Sequence, residues 1–413
     1  MNPAITGLRC TLCGRVDPPD ENEKTCKSCG PRGIRDVLYD YAAIRKRLSW
    51  ERLSADKRQN LARYLPLLPL AEDAVLTPLS VGMTPIVEAP ALAKKLGIRR
   101  LFVKDDGRQP TGSFKDRASF VGTARAVALG RKTIAAASTG NAATSLAGLA
   151  ASLGLEAMIF VPRTAPEAKI AQLLIYGAKV FLVDADYDAT YDLCQEAVAR
   201  FGWYDRSAAV NPYLVEGKKT CGHEIAEQMR DELPDWVSIG VGDGCCAAAT
   251  YKGLLEMKTI GITAAVPKIL GVQASGASPL VSAFQAGTED VKIVEAKTIA
   301  DSINVGNPRN PIKALRAVRE SGGALVAVED AAIIQAIPDL ARASGVFGEP
   351  TGVAGIAGIA EAVKRGILGP KDSVLHVVSG NGLKDVRGAM RAVNAPAPIP
   401  CKLEAVEARL TSG

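Results

Sequence analysis

Lys115 stands in the run Thr111-Gly-Ser-Phe-Lys115-Asp-Arg117, just after a Gly-Ser turn and just before a helical pattern. A lysine held at such a junction suits imine formation, which needs a fixed amine whose pKa is lowered by partial burial and nearby cations. Taken alone, it reads more simply as a solvated residue at a helix start. Three further runs reverse that preference: Ser138-Thr139-Gly140-Asn141, Gly242-Asp243-Gly244-Cys245-Cys246 and Ser379-Gly-Asn-Gly-Leu-Lys384. Each follows a short apolar stretch and precedes a helical pattern. Glycines at such places let backbone N–H groups converge on an anion, and a helix N-terminus adds favourable partial charge. Singly, each run has a plain structural reading, as a tight strand-to-helix turn, a Ser/Thr N-cap or a serine opening a Gly-Asn-Gly turn. Four in order are far more specific.

The elements that position these runs are legible from about residue 85 onward, where short β-branched runs alternate with helical patterns. Strands are predicted at Leu101–Lys104, Thr133–Ala137, Ala157–Val161, Lys179–Val183, Val237–Val241, Ile269–Gln273, Ala324–Val328 and Ser373–Val378. Helices are predicted at Asp116–Leu129, Ala142–Leu153 and Ala247–Met257, among others. This is an α/β signature, with parallel sheets covered on both faces. A chain of 413 residues is long enough for two sizeable cores. The expected division is a cysteine-bearing head over 1–35, a helical connector over 36–84, a catalytic α/β region over 85–390 and a tail over 391–413. The catalytic region would have two lobes, the smaller at about 118–210. In the connector, Tyr39 to Leu70 looks helical and ends at Pro66 and Pro69. The tail's Ala-Pro-Ala-Pro-Ile-Pro run excludes a regular helix or a central strand.

The head carries Cys10-Thr-Leu-Cys13 and Cys26-Lys-Ser-Cys29, each pair followed by glycine at Gly14 and Gly30. Two CxxC pairs so close together supply the four thiolates of a closed tetrahedral zinc site, which would be structural because the segment is too small to fold on burial alone. Four free thiols, or two disulfides in an exported chain, are the plainer alternatives. No aromatic residues interleave with basic ones here, so a nucleic-acid ribbon is not indicated.

A formal charge of +6 spread along the chain gives no case for a nucleic-acid partner and suits anionic small ligands. No apolar run of about 18 residues is present, so no transmembrane helix is expected. The N-terminus shows no basic region followed by an apolar stretch, and nine cysteines, an odd number, fit a reducing cytoplasm. With only His223 and His376 available, both inside apolar or helical patterns, histidine-based hydrolase and metal sites are disfavoured.

The order of the four runs resembles the pyridoxal-phosphate (PLP) enzymes of the tryptophan-synthase-β type, fold type II, and within them the threonine synthase group. The likeness covers roughly residues 80–390 and extends to Asn211-Pro212, Glu216-Gly217-Lys218-Lys219-Thr220, Gly306-Asn307-Pro308, Ser321-Gly322-Gly323, Phe347-Gly-Glu349-Pro350 and Gly380-Asn-Gly-Leu-Lys-Asp385. PLP chemistry needs an imine lysine, an anion cradle, a partner for the pyridine nitrogen and a flat support for the ring. Lys115 would bond the cofactor, Phe114 could stack on its ring, and Gly242, Asp243, Gly244, Cys245 and Cys246 would cradle its phosphate. Ser379 would face the pyridine nitrogen, where a hydroxyl makes the ring a weaker electron sink than a carboxylate would. The resemblance implies that Ser138, Thr139, Gly140 and Asn141 hold the substrate carboxylate and that Asn141 also bonds the cofactor's 3-oxygen. It also implies a homodimer, and a head ribbon of the kind found in several threonine-synthase-like proteins.

The chain departs from that group at Ala209 and Leu214, where a serine and a phosphate-binding arginine are usual, and at Ala142 and Thr351-Gly352. Losing an arginine–phosphate contact costs about 1.5–3 kcal/mol. Lys218, Lys219 or Arg309 could compensate. The expected reaction is therefore conversion of O-phospho-L-homoserine and water to L-threonine and phosphate. The alternative is β-elimination or β-replacement on serine, threonine or an O-activated serine. A zinc module on a catalytically dead scaffold is a third reading, against which the intact lysine and glycine loops speak.

Overall fold

Parallel strands hidden on both faces have no polar side to offer water, and the apolar runs of this chain form such strands. The computed structural model describes residues 1–20, 25–138, 140–163, 167–185, 187–208 and 210–411. In chain order the strands are β1 (Ile5–Cys10), β2 (Val16–Asp17), β3 (Arg35–Tyr39), β4 (Ile86–Glu88), β5 (Arg100–Asp105), β6 (Thr133–Ala137), β7 (Glu156–Pro162), β8 (Lys179–Val183), β9 (Tyr204–Asp205), β10 (Trp236–Gly240), β11 (Lys268–Ala274), β12 (Ala324–Val328) and β13 (Ser373–Val378). The large sheet has the order β12-β11-β10-β13-β5-β4 and the small sheet β8-β7-β6-β9. Both are parallel except for the edge pair β4–β5, which is antiparallel. Every predicted strand is present, within a residue at each end. The edge strand β4 was not foreseen, because the prolines around it read only as extended chain.

Alternation along β13 divides two cores. Leu375 and Val377 face one apolar cluster, Val374 and Val378 the other. The first cluster also takes in Leu8 of the head and Val37 and Tyr39 of β3, the strand paired with β1, so the head sheet shares the large sheet's core. Along β6, Ile134 and Ala136 face one cluster of the small sheet, Ala135 and Ala137 the other.

Beneath the first turn of the helix Asp116–Ala128 lies a fully buried ion cluster. Arg117 pairs with Asp106 (2.6 Å) and Glu224 (2.5 Å), and Lys104 pairs with Glu224 (2.8 Å). Thr84 and Thr220 complete the arginine's contacts. The cluster ties the end of β5, the helix behind Lys115 and the helix Thr220–Gln228 into one unit.

The connector is a broken element rather than one helix. It comprises Tyr41–Arg47, Trp50–Ala55 and a 3-10 segment, Leu61–Leu67, because Asp40, Ser49 and Asn60 each cap a new start. After the proline-rich tail run, which is irregular as expected, a helix forms at Leu403–Thr411 that was not foreseen.

Candidate active site and cysteine cluster

In an open parallel sheet, ligands bind beyond the carboxyl ends of the strands. β10, β13 and β5 are neighbours in the large sheet. The segments after them are the Gly242 loop, the Ser379 loop and the run leading to Lys115. The Ser138 loop follows β6 of the small sheet and faces them. Contacts close the circle. The Phe114 N–H donates to the Ser379 carbonyl (2.9 Å), and the Asn381 N–H to Gly112 (3.0 Å). Lys115 Nζ lies 3.7 Å from Cys246 Sγ. A side chain on Gly380 would come within 3.1 Å of Asn141 Nδ2.

Lys115 is half-buried at the N-cap of its helix, and its one side-chain hydrogen bond among the described residues is the long one to Cys246. Gly244 has φ of +90° and lies so close to Ala314 Cβ and the Asn310 carbonyl (both 2.7 Å from an added Cβ) that only glycine fits. The turn therefore opens directly into the helix Cys245–Thr259, leaving the amides of its first turn without helical acceptors. Asp243 spends its side chain on the Arg309 N–H (3.1 Å), so its backbone is what it can offer a ligand. Burial pushes the Cys245 thiol up, consistent with a space-filling role. The Ser379 hydroxyl has no hydrogen-bond partner among the described residues. Ser138 Oγ accepts from the Gly140 N–H (3.2 Å). Thr139 and Ala209 lie outside the described residues.

Phe114 departs from expectation. A ring that supports a flat ligand must show a face to the cleft. Phe114 is fully buried in the main core, with the Arg117 guanidinium carbon 5.6 Å from its ring centre. Its packing anchors the lysine segment instead. Lys219 is likewise fully buried and paired with Glu216 (2.5 Å) and Glu256 (2.8 Å), so it is not free to replace a missing arginine. The Arg309 guanidinium sits 5.5 Å from the Tyr191 ring centre. Lys218 is different: 5% exposed, it makes no hydrogen bond or ion pair among the described residues. Leu214 is buried against Gly122.

Three residues escaped the sequence reading as members of this site. Glu349 stands at the N-cap position of the helix Pro350–Lys364 without capping it and accepts from Asn141 Nδ2 (2.7 Å); burial raises its carboxyl pKa, against the pull of Lys169 and Lys384. Asn141 Oδ1 is left buried without a partner among the described residues. Lys169 reaches from the small-sheet side to Asp301 (2.6 Å). Arg206, just after β9, is 4% exposed and contacts the Lys115 carbonyl (3.4 Å) and Ser119 Oγ (3.3 Å). Burial draws its pKa down to about 10. Lys384, already noted in its motif, bridges to Thr111, Thr144 and Gln172 (2.7–3.0 Å), and burial lowers its pKa to about 8. The only sequence signal for Glu349 was the Glu-Pro that starts its helix; for Arg206 there was none. Both histidines are fully buried and bonded away from the cleft.

In the head, the sulfurs of Cys10, Cys13, Cys26 and Cys29 all lie within 4.8 Å of one another. Cys13 and Cys26 are 3.8 Å apart. Four sulfurs about 2.3 Å from a tetrahedral zinc would lie about 3.8 Å from each other, so this pair already has the edge length of such a site. Gly14 and Gly30 both have positive φ, as knuckle turns require. Docking is extensive. Lys313 pairs with Asp36 (2.7 Å), and Arg316 donates to the Thr11 carbonyl (3.0 Å). Both cations sit on the helix Pro311–Glu320 that packs under Gly244.

The model of a family described as pyridoxal-phosphate dependent enzyme matches residues 77–380. The chain is 37% identical over 401 residues to the threonine synthase of Methanosarcina acetivorans, covering 97% of each chain. It is 37% identical over 402 residues to that of Methanocaldococcus jannaschii, covering 97% of this chain and 98% of the other. Among solved structures, the processed form of threonine deaminase isoform 2 from Solanum lycopersicum matches with a TM-score of 0.64 at 24% identity, over 82% of this chain and 89% of that one. That likeness is one of fold. No helix among the described residues is long and apolar enough to cross a membrane.

Proposed function

Because this chain is a threonine synthase-like member of the pyridoxal-phosphate dependent enzyme family, we propose that it converts O-phospho-L-homoserine and water to L-threonine and phosphate, with Lys115 as the catalytic lysine. The supporting observation is the convergence, at one sheet edge, of a lysine amine and buried polar groups that lack partners. The residues fit the cofactor: Asn141 brings an amide N–H donor to the site and its Oδ1 holds no partner that would stop the amide turning, the Ser379 hydroxyl has no partner among the described residues, and the loop Gly242–Cys246 offers unbonded amides at a helix start. When bound, PLP supplies an electron-withdrawing ring that eases loss of protons from carbons near the substrate nitrogen.

The chain's own residues have these roles. The amides of Gly242 to Cys246, with Lys218 beside Cys245, hold the cofactor phosphate. Ser379 donates or accepts at the ring nitrogen, and Asn141 binds the 3-oxygen once its amide turns from Glu349. Ser138, Thr139 and Gly140 hold the substrate carboxylate. Lys115 Nζ takes the proton from the substrate's Cα and later moves a Cβ proton. Lys169–Asp301 and the Lys384 bridge hold the two sheets together over the site and exclude water. The same reading takes the thiolates of Cys10, Cys13, Cys26 and Cys29 as a structural zinc site. It includes the division at residues 35, 84 and 390 with a smaller lobe at about 118–210, a cytoplasmic homodimer and no nucleic-acid partner.

The deciding experiment incubates the yellow, PLP-loaded protein with O-phospho-L-homoserine and identifies the products. Phosphate with threonine establishes the reading. Phosphate with 2-oxobutyrate makes the protein a phospholyase. No phosphate from a yellow protein overturns it and directs attention to serine-derived substrates.

A further inference from the structure

We propose that Arg206 binds a phosphate monoester beside Lys115, and that the substrate's phosphate is the one it holds. The source of the phosphate rests on the function proposed above; the anion site itself does not.

The small sheet fixes where Arg206 is. Its N–H donates to the Ala135 carbonyl of β6 (2.9 Å), directly after β9. From there the side chain crosses to the start of the helix Asp116–Ala128. Its bonds to the Lys115 carbonyl (3.4 Å) and Ser119 Oγ (3.3 Å) are long for N–H···O contacts and easily given up. The Nε is buried and has no hydrogen-bond partner among the described residues. No carboxylate lies within ion-pair distance among the described residues. Asp116 is engaged by the Thr111 N–H (2.7 Å) and hydroxyl (2.5 Å), and Asp205 by the Ser207 N–H (2.8 Å).

A buried guanidinium that bonds no carboxylate is costly, and Asp116 and Asp205 act on Arg206 only from beyond contact distance. A ligand that brings two negative charges removes that cost, and the open Nε edge offers the side-on fork that meets two phosphate oxygens at once. The groups that act on Arg206, besides Asp116 and Asp205, are Cys246 and Cys245, which end the glycine loop and open the helix Cys245–Thr259, so Arg206 lies near that loop. Arg206, Lys115 and Lys218 thus all lie near Cys245 and Cys246, and none of the three pairs with an acid among the described residues. Lys218 and the loop amides provide for the cofactor phosphate, which leaves Arg206 for a second one.

The test uses the full-length, PLP-loaded protein with Arg206→Gln and Arg206→Lys. Three quantities are measured: inorganic phosphate affinity by calorimetric titration, PLP affinity by its visible band, and KM and kcat for O-phospho-L-homoserine. A charge-assisted fork is worth roughly 10- to 150-fold. Arg206→Gln is expected to weaken phosphate binding and raise KM by that factor, with PLP affinity within about twofold, while Arg206→Lys recovers part of the loss. If PLP affinity falls instead and phosphate titration of the holoenzyme is unchanged, the cofactor is the source and the assignment to substrate is overturned. If neither moves, Arg206 only props the helix start and the proposal fails. Should the wild type not turn over phosphohomoserine, the proposed function falls, yet the phosphate titration still decides Arg206. Should Arg206→Gln not fold, Arg206→Lys decides alone, because the charge stays while the fork is lost.

Discussion

Arg117 and Arg206 lie on either side of Lys115, and both are buried, at 0% and 4% exposure. Arg117 bonds two carboxylates and two threonine hydroxyls. That anionic company drives its pKa well above the ordinary arginine value, despite the opposing effect of burial. Arg206 has a carbonyl, a hydroxyl and an orphaned Nε, and burial draws its pKa down. Same residue type, same depth, and opposite states of satisfaction: the first is framework, complete without a ligand, and the second is incomplete. The framework arginine matters to chemistry only through Lys115, whose helix it clamps to the end of β5. The difference teaches how to sort buried polar groups in this cleft, since Asn141, Ser379 and Lys218 fall on the incomplete side with Arg206.

The largest effect should come from the lysine between them. Lys115→Ala is expected to abolish the visible cofactor band that borohydride also removes and to lower turnover roughly a thousandfold or more, while the unfolding midpoint stays near that of the wild type. A variant that remains yellow and borohydride-sensitive would move the imine to another lysine. Next in size is damage to the complete cluster. Glu224→Gln leaves Lys104 and half of Arg117's donors without charge partners in a fully buried site, at a cost of about 3–5 kcal/mol. Urea unfolding measures it. A loss under 1 kcal/mol would show that the framework label is wrong.

What was legible in the sequence follows from the range of the contacts involved. Lys115 and the loops at 138–141, 242–246 and 379–384 could be read because a strand end, a glycine turn and a helix start are written in adjacent residues. The strands themselves came from local apolar runs. Arg206 and Glu349 could not be read, because what marks them is the absence or presence of a partner far along the chain. Ser119 and Arg206 are 87 residues apart, and Asn141 and Glu349 are 208. The surroundings of Phe114 were out of reach for the same reason: an aromatic beside a lysine looks like a ring support, and only the fold shows the ring fully buried with the Arg117 guanidinium 5.6 Å from its centre. In the head, the thiols were legible and the β2-β1-β3 sheet was not, since strands as short as Val16–Asp17 carry no periodicity.

Acid separates the two states by a smaller effect. Arg117 and Lys104 outweigh burial and hold the Glu224 carboxyl at about 2, below the ordinary value of 4.5. A carboxylate with a depressed folded pKa stabilises the protein above its unfolded pKa, and that contribution is lost as pH falls through the folded value. The framework should therefore weaken between about pH 4.5 and 2, by about 1.4 kcal/mol per pH unit for this group. His376, buried and lowered to about 4, adds its own loss below its ordinary 6.5, because the unfolded chain takes up that proton first. Stability measured against pH should thus begin to fall near 6.5 and steepen below 4.5, and Glu224→Gln should flatten the lower limb alone. An unchanged lower limb in that variant would place the acid sensitivity elsewhere.

The smallest effect is the sharpest test. Removing an unpaired buried charge relieves desolvation without orphaning a partner, so Arg206→Gln in the ligand-free protein is expected to change unfolding free energy by no more than about 1 kcal/mol, with stabilisation the favoured sign. The bonds it gives up are long, and neither partner depends on it. Ser119 Oγ also bonds Ser145 (2.7 Å), and the Lys115 carbonyl accepts from the Ser119 N–H (3.2 Å). Urea unfolding of Arg206→Gln and Glu224→Gln side by side, each with and without phosphate, gives the comparison directly. Phosphate should stabilise the wild type and the Glu224 variant but not the Arg206 variant. A loss at Arg206 as large as that at Glu224 would mean that its charge is already balanced in the folded chain, and the two arginines would then be framework alike.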